Sequence, residues 1–436
     1  MLAERSVLLV YAYAMLMAAA LASFLVPTCI RLAQRFNVLD FPAERKVHEV
    51  PIPLLGGLAM FGAFITTIVV NVAVLRWLVL NTDLFEYFPS DVAGVFYGTA
   101  SGERLFLASV ILVGAGMIVA IGLLDDMLDV RPLYRILVQT VAASLVVAAG
   151  VSPTYLGMPS WMSAVVTVLW IVVVTNSFNL IDSLDGLSAG VGAICAISLA
   201  ATMHYAGQPL VAIFSLVLAG SALGFLRYNR SPARIFMGST GSLFLGYTVS
   251  VAVALGISVT PSQSTVVSIA IPFLVLGVPL YDTLSVIFLR IRAGEDIFTA
   301  DRRHLAHRMM EFGFNHREAV LVVYLMAIVG SGTTPLLVRA SLGEAILVMF
   351  QITCTFGLII ALEWGAVRAR ARTLSFQSSQ MKGIGRLTEG LTVDMSVLDV
   401  NVVGDPVAGE RLADETLRIA VGGVRQVGPG GGGGDG

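Results

Sequence analysis

The sequence predicts an all-α bundle of about eleven membrane-spanning helices, and three observations carry that prediction. The first is composition: of 436 residues, 56% are hydrophobic and only 13% charged, with mean hydropathy +0.85, which excludes an ordinary soluble domain. The second is the recurrence of apolar runs near the ~20 residues that a helix needs to cross hydrocarbon. They fall near 7–30, 54–80, 105–124, 133–151, 162–178, 187–203, 209–226, 235–258, 264–289, 319–338 and 345–367. The third is charge asymmetry. With eleven spans, eighteen Lys and Arg between Arg31 and Arg372 fall in loops on one side, against Arg5, Arg76, Arg104 and Arg339 on the other. Cationic loops are retained in the cytoplasm, so the N-terminus is expected outside and the C-terminus inside.

Residues 1–372 are read as the transmembrane domain and 373–436 as a weakly ordered cytoplasmic tail, because the composition turns polar after Arg372 and ends in "GPGGGGGDG". The first apolar run is too long for a signal-peptide core, so no cleavable leader is expected. Cys29, Cys195 and Cys354 have no metal spacing and are read as small buried hydrophobes. The formal net charge of −2 hides a concentration of cations on one face, which would attract an anionic ligand. No nucleic-acid partner is expected.

The ionisable residues gather at that face, and charges at a membrane edge are costly enough to point to a site. "GLLDDMLD" ends the third span with Asp125, Asp126 and Asp129. On a continued helix, spacings of three and four would crowd these carboxylates together, which suits a divalent cation sharing its shell with phosphates. The bland alternative is an acidic helix end paired with Arg131 and Arg135. "NSFNLIDSLDGLSAG" repeats Asn176, Asn179, Asp182 and Asp185 at three-residue intervals, in a segment without Lys or Arg. It reads as a site or as an inter-helix loop.

Cationic partners are available nearby in sequence. Arg45, Lys46 and His48 lie in the loop after the first span, and Asp301, Arg302, Arg303, His304, His307 and Arg308 in "DRRHLAHR". Cations and imidazoles beside acids are what a diphosphate with a metal requires. Asp282, deeper in the ninth span, is either a structural partner or part of the site. "RIFMGSTGSLFLGY" opens on Arg234 and runs through Ser239 into a span. Its small residues either cradle a phosphate at a helix N-terminus or let helices pack closely.

The order of these motifs between spans resembles the polyprenyl-phosphate N-acetylhexosamine-1-phosphate transferases, over residues 7–370. "DRRHL" and "RKVHEVPIP" look like the branch that uses UDP-N-acetylglucosamine. The resemblance implies attack of a polyprenyl phosphate on the β-phosphorus of a UDP-sugar, with release of UMP, at the cytoplasmic face of a bacterial inner membrane. It assigns Asp125 and Asp126 as the catalytic acidic pair. Asp126, Asp182, Asn179 and Ser239 become the positions around Mg2+, for which Mn2+ could substitute. Asn179, Asp182 and Asp185 would bind nucleotide, Phe236 would stack on uracil, and Lys46, Arg303, His304 and His307 would face the diphosphate. The lipid, the UDP-sugar and the membrane are the implied partners, with room for a homodimer.

Two positions depart from the family pattern: Ser239 stands where Asp is usual, and Ala306 where His is usual. A neutral hydroxyl is a poor replacement for a carboxylate at a hard cation. The sequence is therefore compatible with a working transferase, with Asp301 or Asp182 filling the gap, or with a non-catalytic subunit that binds lipid or nucleotide.

Overall fold

The computed structural model describes residues 2–42, 50–83, 94, 101–153, 158–259, 265–296, 303–358, 360–361 and 365. The chain divides into two compact units, Met1–Trp364 and Gly365–Gly436, and all described residues but Gly365 belong to the first. The tail expected at 373–436, the loop residues Arg45, Lys46 and His48, and Asp301 and Arg302 lie outside the described residues.

The architecture is helical, as composition requires. Helix α1 (Leu2–Arg35) leads through a two-residue antiparallel pair, β1 (Leu39–Asp40) with β2 (Ile52–Pro53), into α2 (Gly56–Asn81). There follow α3 (Gly102–Leu128), α4 (Pro132–Ala148), α5 (Ser160–Ile181), α6 (Leu187–Tyr205), α7 (Pro209–Asn229) and α8 (Gly238–Val259). Then come α9 (Thr265–Val275), α10 (Gly277–Ala293), α11 (Leu305–Glu311), α12 (His316–Ser331) and α13 (Thr334–Leu337), with a last apolar helix α14 at Leu342–Leu358.

Among the described residues eight helices are long and apolar enough to cross a membrane, or nine if α9 and α10 form one span. The shorter apolar helices α4 and α14 occupy two of the remaining expected positions. The run at 264–289, expected as one span, is instead broken: α9 and α10 meet at 78°. Pro272 lies one turn before the break and Gly277 just after it, so the helix lacks a donor and a side chain where it bends. Backbone groups freed inside a membrane must find partners, and the Cys195 thiol donates to the Val275 carbonyl at 2.9 Å. Cys195 thus has a polar task beyond filling space, and Cys354, expected to be buried, is exposed.

Helix α8 is the axis of the bundle. It packs against α2, α3, α5, α6 and α7, and 89% of its apolar stretch is enclosed by protein, against 22% for α1. Lipid is as apolar as a leucine side chain, so close fit and interhelical hydrogen bonds hold such bundles together. Phe64 meets Phe244 and Phe214 edge-on at 5.4 and 5.2 Å. Ser331 bonds Ser198, and Thr202 bonds Thr334, across the packing of α6 with α12 and α13.

Candidate active site

Four helix ends meet where the sequence concentrates its acids: the C-termini of α3 and α5 and the N-termini of α2 and α8. The first backbone N–H groups of a helix lack intrahelical partners. Those of Gly56 and Gly57 at the start of α2 donate to the carbonyls of Phe236 and Met237. Phe236 in turn donates its own N–H to Pro53 of β2, which fixes the segment that opens α8.

The N–H groups at the start of α8 are taken by Asp126. Ser239 N donates to Oδ1 at 2.7 Å, Thr240 N to Oδ2 at 3.0 Å, and the Thr240 hydroxyl to Oδ2 at 2.6 Å. The anion cradled by the small-residue loop is therefore the protein's own carboxylate. Gly238 makes this possible: its φ is +64°, and a Cβ there would lie 2.4 Å from Asp126 Oδ2. Gly122, one turn back on α3, likewise has no room for a Cβ, which would lie 2.6 Å from Thr240 Cα. A carboxylate offers about four lone-pair sites, so three accepted bonds leave Asp126 one, on Oδ1.

Asp125, next to it, faces another way. It pairs with Arg135 at 2.6 Å and accepts the Val130 N–H, joining the end of α3 to α4. The pairing with Arg135 is one the sequence allowed. Asp129 does not join the carboxylates as its spacing suggested. The helix ends at Leu128, and Asp129 adopts a left-handed conformation with φ 50° and is exposed.

The end of α5 supplies the rest. Asn179 Oδ1 accepts from the Ser242 hydroxyl at 3.1 Å, tying α5 to the first turns of α8. Asp185 accepts the Ala233 N–H at 3.0 Å and so holds the loop that leads to Phe236. Asn176 instead pairs with Gln139 between α5 and α4. Asp182, by contrast, makes no hydrogen bond or ion pair among the described residues. It keeps a little surface open while protein encloses most of it. Burial, reinforced by the charges of Asp126 and Asp185, pushes its carboxyl up to about 8. The Ser239 side chain is half-buried, and its hydroxyl meets no described partner.

Among the described residues no three His, Cys, Asp or Glu side chains converge as a metal-ligating group. The donor set is one uncommitted carboxylate, an amide oxygen, a hydroxyl and a last lone pair on Asp126. This fits a hard cation that keeps several waters and borrows phosphate oxygens, as Mg2+ does, and not a closed protein cage.

The predicted residues Arg303, His304 and His307 lie at and around the start of α11. His304 Nδ1 lies 2.8 Å from Asp282 Oδ2, so the deep Asp282 is a partner of a predicted ligand residue. Arg303 pairs with Glu295 at the surface, and His307 is half-buried. Ala306, where the family pattern has His, is 1% exposed and belongs to the core.

Sequence reasoning overlooked Thr240, Gly238 and Asn229. Asn229 accepts from Gly186 N and donates to Ile235 O, clamping the Asp182–Asp185 turn to the loop before α8. Thr240 and Gly238 lie in the singled-out loop and could have been found by asking which anion its donors serve. Nothing in the sequence around Asn229 distinguishes it.

Comparison with known proteins agrees with this architecture. Residues 108–257, from α3 through α8, match the model of glycosyl transferase family 4. The chain is 35% identical over 378 residues to a protein of Bacillus subtilis named a probable undecaprenyl-phosphate N-acetylglucosaminyl 1-phosphate transferase, covering 85% of this chain and 96% of that one. A decaprenyl-phosphate N-acetylglucosaminephosphotransferase of Mycolicibacterium smegmatis is 35% identical over 320 residues, covering 67% and 74%. An undecaprenyl-phosphate alpha-N-acetylglucosaminyl 1-phosphate transferase of Yersinia pestis is 25% identical over 310 residues, covering 68% and 76%. The chain is a multi-pass membrane transferase of glycosyl transferase family 4.

Proposed function

We propose that the protein transfers an N-acetylhexosamine 1-phosphate, with N-acetylglucosamine as the reference sugar, from its UDP derivative to a polyprenyl phosphate. An oxygen of the lipid phosphate forms a bond to the β-phosphorus, the bond from that phosphorus to the bridging oxygen breaks, and UMP leaves. Polyprenyl-diphospho-sugar is the other product. The observation that carries the reading is Asp182, a largely enclosed carboxylate without a partner among the described residues, where α3, α5 and α8 meet. The names of the relatives supply the substrate classes. The loop charges support a site at the cytoplasmic face, and the bacterial relatives support a bacterial inner membrane.

Phosphoryl transfer depends on in-line positioning and charge neutralisation more than on proton removal. When bound, Mg2+ would neutralise charge on the diphosphate; Asp182, Asn179, Ser239 and the open lone pair of Asp126 are the groups that would hold it. Asp126 also fixes the first turn of α8, and Asp125 fixes the end of α3 beside it. Asp185 and Phe236 border the nucleotide, while Lys46, Arg303, His304 and His307 serve the phosphates.

The test is UMP release by the full-length chain in detergent with polyprenyl phosphate, across several UDP-sugars, with Mg2+ or with chelator. Release with a UDP-N-acetylhexosamine, lost on chelation, is the expected result. No product with any sugar, where an active relative gives product, would leave a binding subunit as the better reading. Ser239→Asp adds a charged oxygen ligand and should lower the half-saturating Mg2+ concentration about tenfold, since charge count tunes such sites.

A further inference from the structure

Asp282 is fully buried at 0% exposure, and both of its oxygens are committed to α11. Oδ1 accepts the N–H of Leu305, the first residue of α11, at 2.5 Å, and Oδ2 meets His304 Nδ1 at 2.8 Å. Its neighbours on the same face of α10 also hold α11: Arg308 Nη2 donates to the Ser285 hydroxyl at 2.9 Å and stacks 5.8 Å above the Tyr281 ring. Attachment of α11 to α10 thus involves Tyr281 and Ser285 as well as Asp282. Orientation of the imidazole falls to Asp282.

The chemistry of the pair fixes more than a position. A carboxylate only accepts hydrogen bonds, so opposite it Nδ1 carries a proton, and Nε2 is the ring atom left for another partner. Nothing among the described residues bonds to Nε2. The pair also lies at the end of the bundle that holds Asp182. Helix α10 packs against α5, whose C-terminus Asp182 follows. Helix α12, next after α11, donates from Arg317 to the Ser231 carbonyl and from Tyr324 to the Gly186 carbonyl. These contacts join the α11–α12 segment to the loops that carry Asp185 and Phe236.

We propose that Asp282 is a positioning residue, which acts by holding the His304 ring with Nδ1 protonated and Nε2 turned to the phosphates of the bound nucleotide. In the doubly protonated ring Nε2–H donates to a phosphate oxygen while Asp282 balances the imidazolium charge. The inference rests on the transferase reading, and it places Asp282 outside contact with substrate.

Asp282→Asn separates this role from a structural one. Its amide oxygen can still accept the Leu305 N–H, but its NH2 donates towards Nδ1 and drives the proton to Nε2. Transfer should fall about 10–100-fold, the cost that losing an orienting partner has at metal-bound histidines, with thermal stability near that of the parent. In a double-mutant cycle, Asp282→Asn should cost nothing further once His304 is Ala. Selective 15N-histidine spectra of the full chain should show the His304 ring proton moving from Nδ1 to Nε2 in Asp282→Asn. Added UMP should drive the parent ring to the doubly protonated form, whereas the variant ring, with no carboxylate opposite Nδ1 to balance the charge, should keep a single proton on Nε2.

Full transfer by a variant whose tautomer has switched overturns the proposal. So does an additive cycle, or a ring signal that UMP does not perturb in the parent. Should Asp282→Asn prove unstable, Asp282→Ala and Ser285→Ala complete the comparison: equal losses of transfer at equal losses of stability also overturn it. Absence of transfer in the parent chain counts against the transferase reading, whereas the ring response to UMP continues to decide the role of Asp282.

Discussion

Two sets of buried acids lie at one end of this bundle and differ in what they lack. At Asp282 every carboxylate oxygen has a protein partner. At Asp182 neither has one among the described residues, and burial with two like charges nearby opposes ionisation. A satisfied acid holds structure together, and removing it exposes its former partners. An unsatisfied acid is a standing cost that a ligand relieves, so removing it should impair chemistry and spare the fold. Asp126 lies between these extremes, with three bonds made and one lone pair open.

The strongest way to break the contrast is Asp182→Asn. Transfer should fall roughly 10²–10³-fold, the cost of one electrostatic group at a reacting phosphate, and thermal unfolding at pH 7 should be unchanged or later. Early unfolding would instead make Asp182 a structural acid. Asp126→Ala should do both kinds of harm: with the Ser239 and Thr240 donors orphaned, stability should fall by about 3 kcal/mol, and transfer should fall with it. Denaturation of the purified variant measures the first effect and UMP release the second.

Ala306→His tests the departure at α11. The site is in the core, so the ring should overpack it and cost about 1–3 kcal/mol without raising transfer; a stable, faster variant would place position 306 in the site. The smallest expected effect is in pH. Asp182 binds its proton more tightly folded than unfolded, so this group favours the folded state at low pH. That contribution should decline as pH rises from near 4, a typical unfolded aspartate value, to about 8. Melting of the Mg2+-free chain across that window should show the decline, Mg2+ should offset it, and Asp182→Asn should flatten it.

The sequence revealed much of the fold, because lipid imposes helices and lengths that composition exposes directly. It missed the break at Leu276, where one proline and one glycine within an otherwise spanning run redirect the chain. In the site, spacing grouped Asp182 with Asp185, and the family resemblance joined Asp126 to them. Spacing misjudged Asp129, since helix periodicity says nothing beyond the residue where the helix stops. Periodicity also could not divide labour between Asp125 and Asp126. Adjacent residues on a helix point about 100° apart, so one met Arg135 and the other the start of α8. Ala306 read as a lost ligand because a motif records order along the chain and not which side faces inward.

The cradling of Asp126 at the start of α8 has a consequence for how this protein would grip its substrates. A helix N-terminus whose amides already serve an internal anion has little attraction left for an external one. On the proposed reading, phosphate binding would then fall to cationic side chains and to a soluble cation, whose attraction is screened by salt. Substrate capture would therefore be set by ionic strength and by the supply of divalent metal, quantities that belong to the surrounding solution and not to the bundle.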